Sequence, residues 1–454
     1  MRIVIIGAGE IGFHVAQRLS LEHKDVVVID KSPEALRRIN DHLDVQTILG
    51  SGSSPVLLEQ AGIQEAKLLL AVTDSDETNL TACLFARSLA PELTKLARIR
   101  NQEYLHYKST LTREILNIAH VINPDQEVVL ALERMLEIPG AMEVNHFAGG
   151  RVKLIGVRVC PDSPLIGVRL MDIPDRYRDD RFIVAAIVRD ERLLIPTGPD
   201  ALRREDVVYF ICGGDRVERV LPLFSPCTTK IRNAMIVGGG SVGLLAAKAL
   251  ERKGLSVKLI ERDPQRCEKL AGELDKTIVL HGDGSDGDLL QEEGIREIDA
   301  FIALTGGEET NVLLSLLAKR LGAAKTITRI NKFAYIPLVR AIGLENVISP
   351  RISAVHTIFR HVRRGKVISS VFIRGEEAEA LEAVAQEKSP IVHKPIKDLR
   401  FPKGALILCV IRGEEVIIPD GDSVIRPGDR IVILSIRANI SKVERALAVK
   451  LEYI

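Results

Sequence analysis

The stretch IVIIGAGEIG at residues 3–12 decides the fold, and it recurs as MIVGGGSVG at residues 235–243. In each copy an apolar run is followed by the pattern G-x-G-x-x-G and then by an amphipathic segment. An acidic residue closes the next apolar run at the same distance from the third glycine, Asp30 in the first copy and Glu261 in the second. One such pattern alone is weak evidence, but two copies in the same strand–turn–helix–strand–acid context predict two dinucleotide-binding units.

The repeat continues along nearly the whole chain. Thr73 corresponds to Thr305 and Arg98 to Arg329, each at the end of a short apolar run. Apolar runs alternate with helical patterns, about six runs per copy, and this alternation predicts βαβ units and a parallel sheet. We therefore expect an α/β fold with two tandem Rossmann-like, doubly wound domains, each followed by a small α+β domain.

The predicted domain order is large, small, large, small. We expect the large nucleotide-binding domains at residues 1–125 and 231–350, and the small β-rich domains at residues 141–225 and 370–454. The small segments resemble each other as the large ones do, so the chain is a tandem duplication.

Each large domain continues into one further helix. Asn123-Pro124 and Ser349-Pro350 predict the two helix starts, because asparagine and serine cap free N–H groups and proline suits the first turn. Helical spacing of apolar residues then extends to about residue 140 in the first copy and about residue 365 in the second. The pattern leaves open whether each helix packs on its own sheet or crosses to a partner subunit.

Composition and charge exclude several classes of protein. The 62 basic residues balance 61 acidic ones, and this net charge of +1 gives no electrostatic drive toward nucleic acid. No run of about 18 apolar residues exists, so we expect no membrane span. The six cysteines form no C-x-x-C pair, which argues against zinc sites and structural disulfides and favours a reducing cytoplasm.

The fingerprints predict how a nucleotide would be held. The first glycine permits a tight turn, the second lets backbone approach a pyrophosphate, and the third lets the helix pack close to the sheet. The acid is placed to bind ribose hydroxyls and would repel a 2′-phosphate, which favours NAD(H) or adenine nucleotides over NADP(H). The candidate residues of these motifs are Gly7, Ala8, Gly9, Glu10, Ile11, Gly12 and Asp30, and in the second copy Gly238, Gly239, Gly240, Ser241, Val242, Gly243 and Glu261.

Further candidates end strands at the carboxyl edge of each sheet. A threonine follows the fourth strand, an arginine able to pair with phosphate closes the fifth, and a polar residue after the third could meet adenosine. These candidates are Ser51, Thr73, Asp74 and Arg98 in the first copy and Asp283, Thr305 and Arg329 in the second. Because the copies differ at several of these positions, the two sites could prefer different nucleotides or redox states.

Residues that could act as a general acid or base do not recur together with the two glycine motifs. No histidine recurs between the copies, and no Tyr-x-x-x-Lys pair, Walker lysine loop or His-Glu metal spacing stands out. We therefore expect no catalytic residue and no metal site, and a sensor that binds nucleotide without transforming it. The alternative is an NAD-dependent dehydrogenase whose catalytic residue comes from the small domains.

The chain resembles the RCK family of cytoplasmic regulators of K⁺ conductance, and within it the two-unit regulators of Trk potassium-uptake systems. The resemblance covers essentially the whole chain. It rests on both glycine motifs with their acids, on Thr73-Asp74, and on Arg98 and Arg329. It implies alternating RCK N-type and C-type domains.

The resemblance also implies ligands and partners. Members bind NAD(H) and ATP or ADP, and their Rossmann domains assemble into rings, so a two-unit chain would form a homotetramer. The ring would lie in the cytoplasm, peripheral on the inner face of the cell membrane, beneath an integral-membrane potassium channel or transporter subunit that is TrkH/TrkG-like. Nucleotide would gate that subunit allosterically. A sensing subunit of a different ion transporter is the alternative that differs only in its partner.

Two departures from the family pattern concern the proposed sites. The family often has Gly-Asp-Ala after the third strand, whereas residues 50–52 read GSG and residues 282–284 read GDG. Gly306-Gly307 also replaces the acidic pattern of residues 74–76. We therefore expect the adenine contacts of the first copy and the ligand geometry of the second to differ from the family.

Overall fold

The computed structural model describes residues 2–107, 109, 115–190, 192–226, 230–362, 367–374, 377–399 and 401–447. These residues form four sheets. Two are six-stranded and parallel, and two are five-stranded and antiparallel, in alternation along the chain. The predicted fold class is therefore confirmed.

The first large domain is a parallel sheet with strand order β3-β2-β1-β4-β5-β6. Its central strands are continuous apolar runs because helices cover both faces. The strands are β1 (Arg2–Ile6), β2 (Asp25–Asp30), β3 (Gln46–Leu49), β4 (Ala66–Ala71), β5 (Thr94–Arg98) and β6 (His120–Ile122). The helices are α1 (Glu10–Leu21), α2 (Pro33–His42), α3 (Pro55–Gln60), α4 (Asp76–Leu89) and α5 (Gln102–His106), followed by the crossover helix α6 (Pro124–Glu137).

The first small domain is an antiparallel sheet with order β10-β9-β11-β8-β7. Its elements are β7 (Ala141–Phe147), β8 (Val152–Arg158), α7 (Ile173–Arg176), β9 (Phe182–Arg189), β10 (Arg192–Leu194), β11 (Val207–Gly213) and α8 (Val217–Phe224).

The second large domain repeats the first, with strand order β14-β13-β12-β15-β16-β17. Its strands are β12 (Asn233–Val237), β13 (Ser256–Glu261), β14 (Ile278–His281), β15 (Ala300–Ala303), β16 (Thr326–Arg329) and β17 (Asn346–Ile348). Its helices are α9 (Ser241–Arg252), α10 (Pro264–Glu273), α11 (Gly287–Glu292), α12 (Glu308–Leu321) and α13 (Tyr335–Ala341), followed by the crossover helix α14 (Pro350–Val362).

The second small domain repeats the antiparallel sheet, with order β18-β19-β22-β20-β21. Its first strand begins ahead of residue 370, the predicted start of this domain. The elements are β18 (Val367–Ile373), β19 (Ala378–Val384), β20 (Ala405–Arg412), β21 (Glu415–Ile417), β22 (Arg430–Ile436) and α15 (Ile440–Ala446).

Each crossover helix covers the fingerprint helix of the opposite large domain. Val128 and Leu132 of α6 share a core with Ala246 of α9. Val355 of α14 shares a core with Val15 of α1. Neither alternative drawn from the sequence describes this packing, because the helices leave their own sheets yet stay within one chain. Because the chain is duplicated, each large domain packs on the crossover helix that follows the other large domain.

The helix starts agree with the sequence. Asn123 accepts hydrogen bonds from the N–H groups of Asp125 and Gln126 at 2.9 and 3.0 Å. Ser349 Oγ accepts more weakly from Ile352 N at 3.4 Å. Both predicted caps are confirmed.

The two small sheets pack against each other through one apolar core that contains Ile211 of the first and Leu434 of the second. In the described ranges no helix is both long and apolar enough to cross a bilayer. The same ranges hold no cluster of three metal-ligating side chains.

Candidate functional site

The first fingerprint forms a tight loop that its own acid holds closed. Ala8 N donates to Asp30 Oδ2 at 2.6 Å, and Ser32 N donates to Asp30 Oδ1 at 2.8 Å. Gly7 has φ +107°, a conformation that side chains disfavour. The carboxylate is therefore fixed between the loop and the start of α2, beside the position that the motif assigns to ribose.

The second and third glycines have opposite surroundings. A Cβ on Gly12 would lie 1.8 Å from the carbonyl oxygen of Gly7, so this position permits only glycine. A Cβ on Gly9 would meet no atom within 4 Å, and its φ of −65° suits any residue. Gly9 therefore opens onto free space at the N-terminus of α1, where the motif places phosphate.

The second fingerprint has the same geometry, but Gly239 and Glu261 stand where the first copy has Ala8 and Asp30. Gly239 N donates to Glu261 Oε2 at 2.7 Å, and the other carboxylate oxygen accepts from Arg262 N and Asp263 N. A Cβ on Gly239 would lie 2.4 Å from the Leu270 side chain and 3.0 Å from Glu261 Oε2. Glycine at this position therefore avoids crowding against Leu270 and Glu261, where the first copy has Ala8.

The remaining glycines of the second copy repeat the first. Gly240 opens onto free space, and a Cβ on Gly243 would lie 1.9 Å from the carbonyl oxygen of Gly238. Val242 is buried behind this loop, as Ile11 is in the first copy.

A cavity of about 910 Å³ lies against the first fingerprint. Ten of the eleven residues predicted for the first copy line it, and the eleventh, Gly12, is packed beneath the loop instead. The lining residues from the predicted set are Gly7, Ala8, Gly9, Glu10, Ile11, Asp30, Ser51, Thr73, Asp74 and Arg98, and Arg329 joins them from the second copy.

Two buried asparagines support the strand ends, and sequence reasoning missed them as site residues. Asn79 accepts from Thr73 N and Thr73 Oγ1 and donates to the carbonyl oxygens of Thr73 and Arg98. Asn311 makes the same four bonds with Thr305 and Arg329. The signal was present, because both asparagines recur at matching positions.

The two strand-ending arginines differ in their partners. Arg98 donates to Asp74 Oδ1 at 2.6 Å and to the carbonyl oxygen of Thr73 at 3.1 Å. The Arg98 hydrogen bond lowers the pKa of Asp74. Gly306 replaces Asp74 in the second copy, and burial lowers the pKa of Arg329. Arg329 Nε is buried and has no hydrogen-bond partner among the described residues.

Arg329 lines the first cavity although it ends a strand of the second large sheet, and any contact from it in the second crevice stays a prediction. In the wall of the first cavity it lies beside Asn331 and Arg351. The reason is that crossover packing brings the carboxyl edges of the two large sheets together.

The two fingerprints are tied to each other's crossover helices. Ser241 Oγ donates to Asp125 Oδ2 at the start of α6 at 2.8 Å. Glu10 faces Arg351 at the start of α14 at 3.9 Å and pairs more closely with Arg38. Burial alone would raise the pKa of Glu10, but Arg38 and the other nearby cations lower it. No local motif could place these partners, since they are far apart in sequence.

The residues after the third strands close small turns. Ser51 Oγ lies 2.8 Å from Ser53 Oγ and lines the first cavity. Asp283 accepts from Ser285 N and Ser285 Oγ, and these bonds lower the pKa of Asp283. Asp283 therefore stabilises its own turn, and any contact between Asp283 and a nucleotide remains a prediction.

Comparison with known proteins places the chain in a family. The TrkA-N domain matches residues 3–124 and 234–350, and the TrkA-C domain matches residues 154–225 and 380–448. The Trk system potassium uptake protein TrkA of Halomonas elongata is 37% identical over 457 residues, which cover 100% of both chains. The TrkA protein of Vibrio alginolyticus is 38% identical over 449 residues, 98% of each chain. The chain belongs to the TrkA family. The resemblance to RCK regulators is thereby confirmed.

Solved structures agree on the fold of this TrkA family member. The GsuK RCK domain superposes with a TM-score of 0.61 at 17% identity, covering 98% of this chain and 95% of that one. The GsuK channel bound to NAD superposes equally well, covering 79% of its own chain. The TrkA relatives are named for potassium uptake and not for a catalysed reaction, which confirms the prediction that the chain is not an enzyme.

Proposed function

We propose that this TrkA family member is the cytoplasmic nucleotide-sensing subunit of a potassium-uptake system, peripheral on the inner face of the membrane. It binds NAD(H), and ATP or ADP, at its two fingerprints and gates a TrkH/TrkG-like membrane subunit allosterically, as a homotetramer. The observation that carries the proposal is the first cavity, where the open backbone at Gly9 lies beside the fixed carboxylate of Asp30.

The cavity fits a nucleotide in size and charge. Its volume of about 910 Å³ lies in the range of small-molecule sites, about 300–1,000 Å³. Gly9 presents free backbone where a pyrophosphate would approach, and Asp30 is positioned for ribose hydroxyls. Arginine guanidiniums suit phosphate because they offer several donors in a fixed fork. The lining arginines are Arg38, Arg98, Arg100, Arg329 and Arg351.

The cavity walls suggest how binding would gate a partner. Arg329 and Arg351 come from the second unit, whereas the phosphate loop belongs to the first. A nucleotide that touches both units binds best in one relative arrangement of the two. Its affinity difference between arrangements then shifts their populations, and no hydrolysis is needed.

The dehydrogenase alternative has no support in this cavity. Its lining contains no histidine or tyrosine that could exchange a proton with a substrate, and Lys31 is its sole lysine among the described residues. A dehydrogenase would oxidise NADH when offered small carbonyl substrates. We expect no NADH consumption above the rate without protein, measured by absorbance.

Matched substitutions test binding at each fingerprint. Gly9→Val and Gly240→Val place a side chain in open space at backbone angles that valine accepts, so the fold should be retained. Calorimetry with NADH and ADP should find the first site lost in Gly9→Val and the second lost in Gly240→Val. Unchanged binding in both variants would refute the assignment.

Gating is tested with the membrane subunit present. Potassium flux into vesicles that contain the purified partner and this protein should depend on nucleotide. The dependence should disappear in the double variant Gly9→Val, Gly240→Val. Flux that responds to nucleotide equally in the double variant would contradict the proposed mechanism.

A further inference from the structure

One buried ion pair joins the first fingerprint helix to the second small domain. Arg18 lies on α1 and is 4% exposed, and Glu379 lies on β19 and is 1% exposed. Arg18 Nη2 donates to Glu379 Oε2 at 2.6 Å, across 361 residues of chain. The pair therefore connects two domains that no local sequence relationship links.

The surroundings fix the Arg18 side chain in one orientation. Its guanidinium lies 4.3 Å from the ring centre of Phe372 on β18 and 5.9 Å from that of Phe359 on α14. Its Nε also donates to Glu22 Oε1, at the residue that directly follows α1. Helix α1, helix α14 and the second small sheet thus meet at this one side chain.

The second unit does not repeat the pair. Ala249 occupies the position of Arg18 on α9 and is fully buried in an apolar core with α6. Lys153 occupies the position of Glu379 on β8 and pairs with Glu137 at 2.6 Å. The copies therefore differ where each fingerprint helix would contact the opposite small domain.

This difference has a mechanical consequence. Apolar contacts are non-directional, so packed helices can slide a little at small cost. A buried ion pair resists sliding, because separating its partners leaves charges buried without compensation. Helix α1 begins at the loop that cradles phosphate, so its movement on nucleotide binding would be carried to β19, whereas movement of α9 would not.

We propose that Arg18 and Glu379 transmit the nucleotide state of the first cavity to the second small domain, and that the first fingerprint is the regulatory one of the two fingerprints. The inference rests on the proposed function, since it requires nucleotide at the fingerprints. Arg18 and Glu379 act as positioning residues, because neither lines the cavity.

Hydrogen exchange of β19 tests the transmission on the full chain. In Gly240→Val, which leaves the first site intact, saturating NADH should change exchange in residues 378–384 by about threefold or more. In Gly9→Val, which leaves the second site, the same addition should leave β19 exchange unchanged. An equal response in both variants would overturn the inference.

The pair itself is tested in the Gly240→Val background. Arg18→Met with Glu379→Leu replaces it with apolar groups of similar size, a change that proteins often tolerate. Glu379→Gln removes the charge with less change of shape and serves if the double variant unfolds. NADH affinity by calorimetry should change less than about threefold, while the β19 response is lost. A persisting response would overturn the inference.

A control variant separates a specific role of the Arg18–Glu379 pair from general loosening, and calorimetry separates both from a failure of nucleotide binding. Lys153→Met changes the equivalent position of the other unit and should leave the β19 response intact. A loss of the response in Lys153→Met would show general loosening of the small domains and contradict a specific role for the pair. Calorimetry that finds no NADH binding in Gly240→Val would instead refute the proposed function itself.

Discussion

Arg98 donates a 2.6 Å hydrogen bond to Asp74 in the wall of the first cavity, and the second copy has Gly306 in place of that acid. The arginine is mostly buried, whereas the acid is almost fully exposed. Asp74 therefore does two things at once. It holds Arg98 in place, and it offsets positive charge where phosphate would bind.

Removing this acid should strengthen nucleotide binding at the first site. Asp74→Ala frees the Arg98 guanidinium and removes a negative charge from the cavity, so NADH affinity in the Gly240→Val background should rise up to about fivefold, the scale of an exposed ion pair. Calorimetry at low and high salt measures it, and the gain should shrink with salt. Glu59→Ala removes an exposed acid outside the cavity and should change nothing. Weaker binding in Asp74→Ala would show that ordering Arg98 matters more than its charge.

The third glycines should be far less tolerant than the second. Gly12→Ala places a methyl 1.8 Å from the Gly7 carbonyl oxygen, so α1 must move away from the loop. We expect a loss of about 3 kcal/mol in the stability of the first large domain. Gly9→Ala meets no atom and should cost at most about 0.5 kcal/mol. Hydrogen exchange of β1 reports both, and similar losses for the two variants would contradict the packing described.

Much of this fold could be predicted because its signals are local. Apolar runs, glycine turns and capping residues act over a few positions, and the duplication let each be read twice. Asp30 and Glu261 were predicted from their positions at the ends of strands alone. In the structure, each carboxylate accepts a hydrogen bond from the glycine-rich loop of its own copy.

The parts that escaped prediction depend on distant contacts. Arg329 lines the first cavity because α6 and α14 each pack on the opposite large domain, which brings the edges of the two sheets together. The Arg18–Glu379 pair leaves no trace in a repeat alignment, since the equivalent positions hold Ala249 and Lys153. Asn79 and Asn311 are the exception, because their recurrence was visible and a buried supporting role was not inferred from it.

The asparagine network should stabilise each cavity edge separately. Asn79→Ala removes four hydrogen bonds and leaves the Thr73 N–H without its partner, at a cost of about 2–3 kcal/mol. Exchange of β5 should quicken while that of β16 is unaffected, and NADH affinity at the first site should fall. Asn311→Ala should give the opposite pattern. If either variant loosened both strands equally, the two edges would not be independent.

A partly buried lysine links the second large domain to the end of the first crossover helix. Lys325 Nζ donates to the carbonyl oxygen of Met135 at 2.9 Å and to that of Ala141 at 2.7 Å. The last carbonyls of a helix lack partners within it, so this amine satisfies one of them. Burial lowers the pKa of Lys325 from 10.5 to about 8.

This lowered pKa should make the domain contact depend on pH. Between about pH 8 and 10.5 the unfolded chain binds more protons at Lys325 than the folded one, so stability from this residue rises with pH and is lost as pH falls through about 8. The full difference in unfolding free energy is about 3 kcal/mol. Subtracting the unfolding free energy of Lys325→Met from that of the unaltered protein, by urea unfolding at pH 7 to 10, should reveal this rise. Lys325→Gln also cannot titrate and should give the same slope. A flat difference for both variants would show that the amine stays charged in the fold throughout this range.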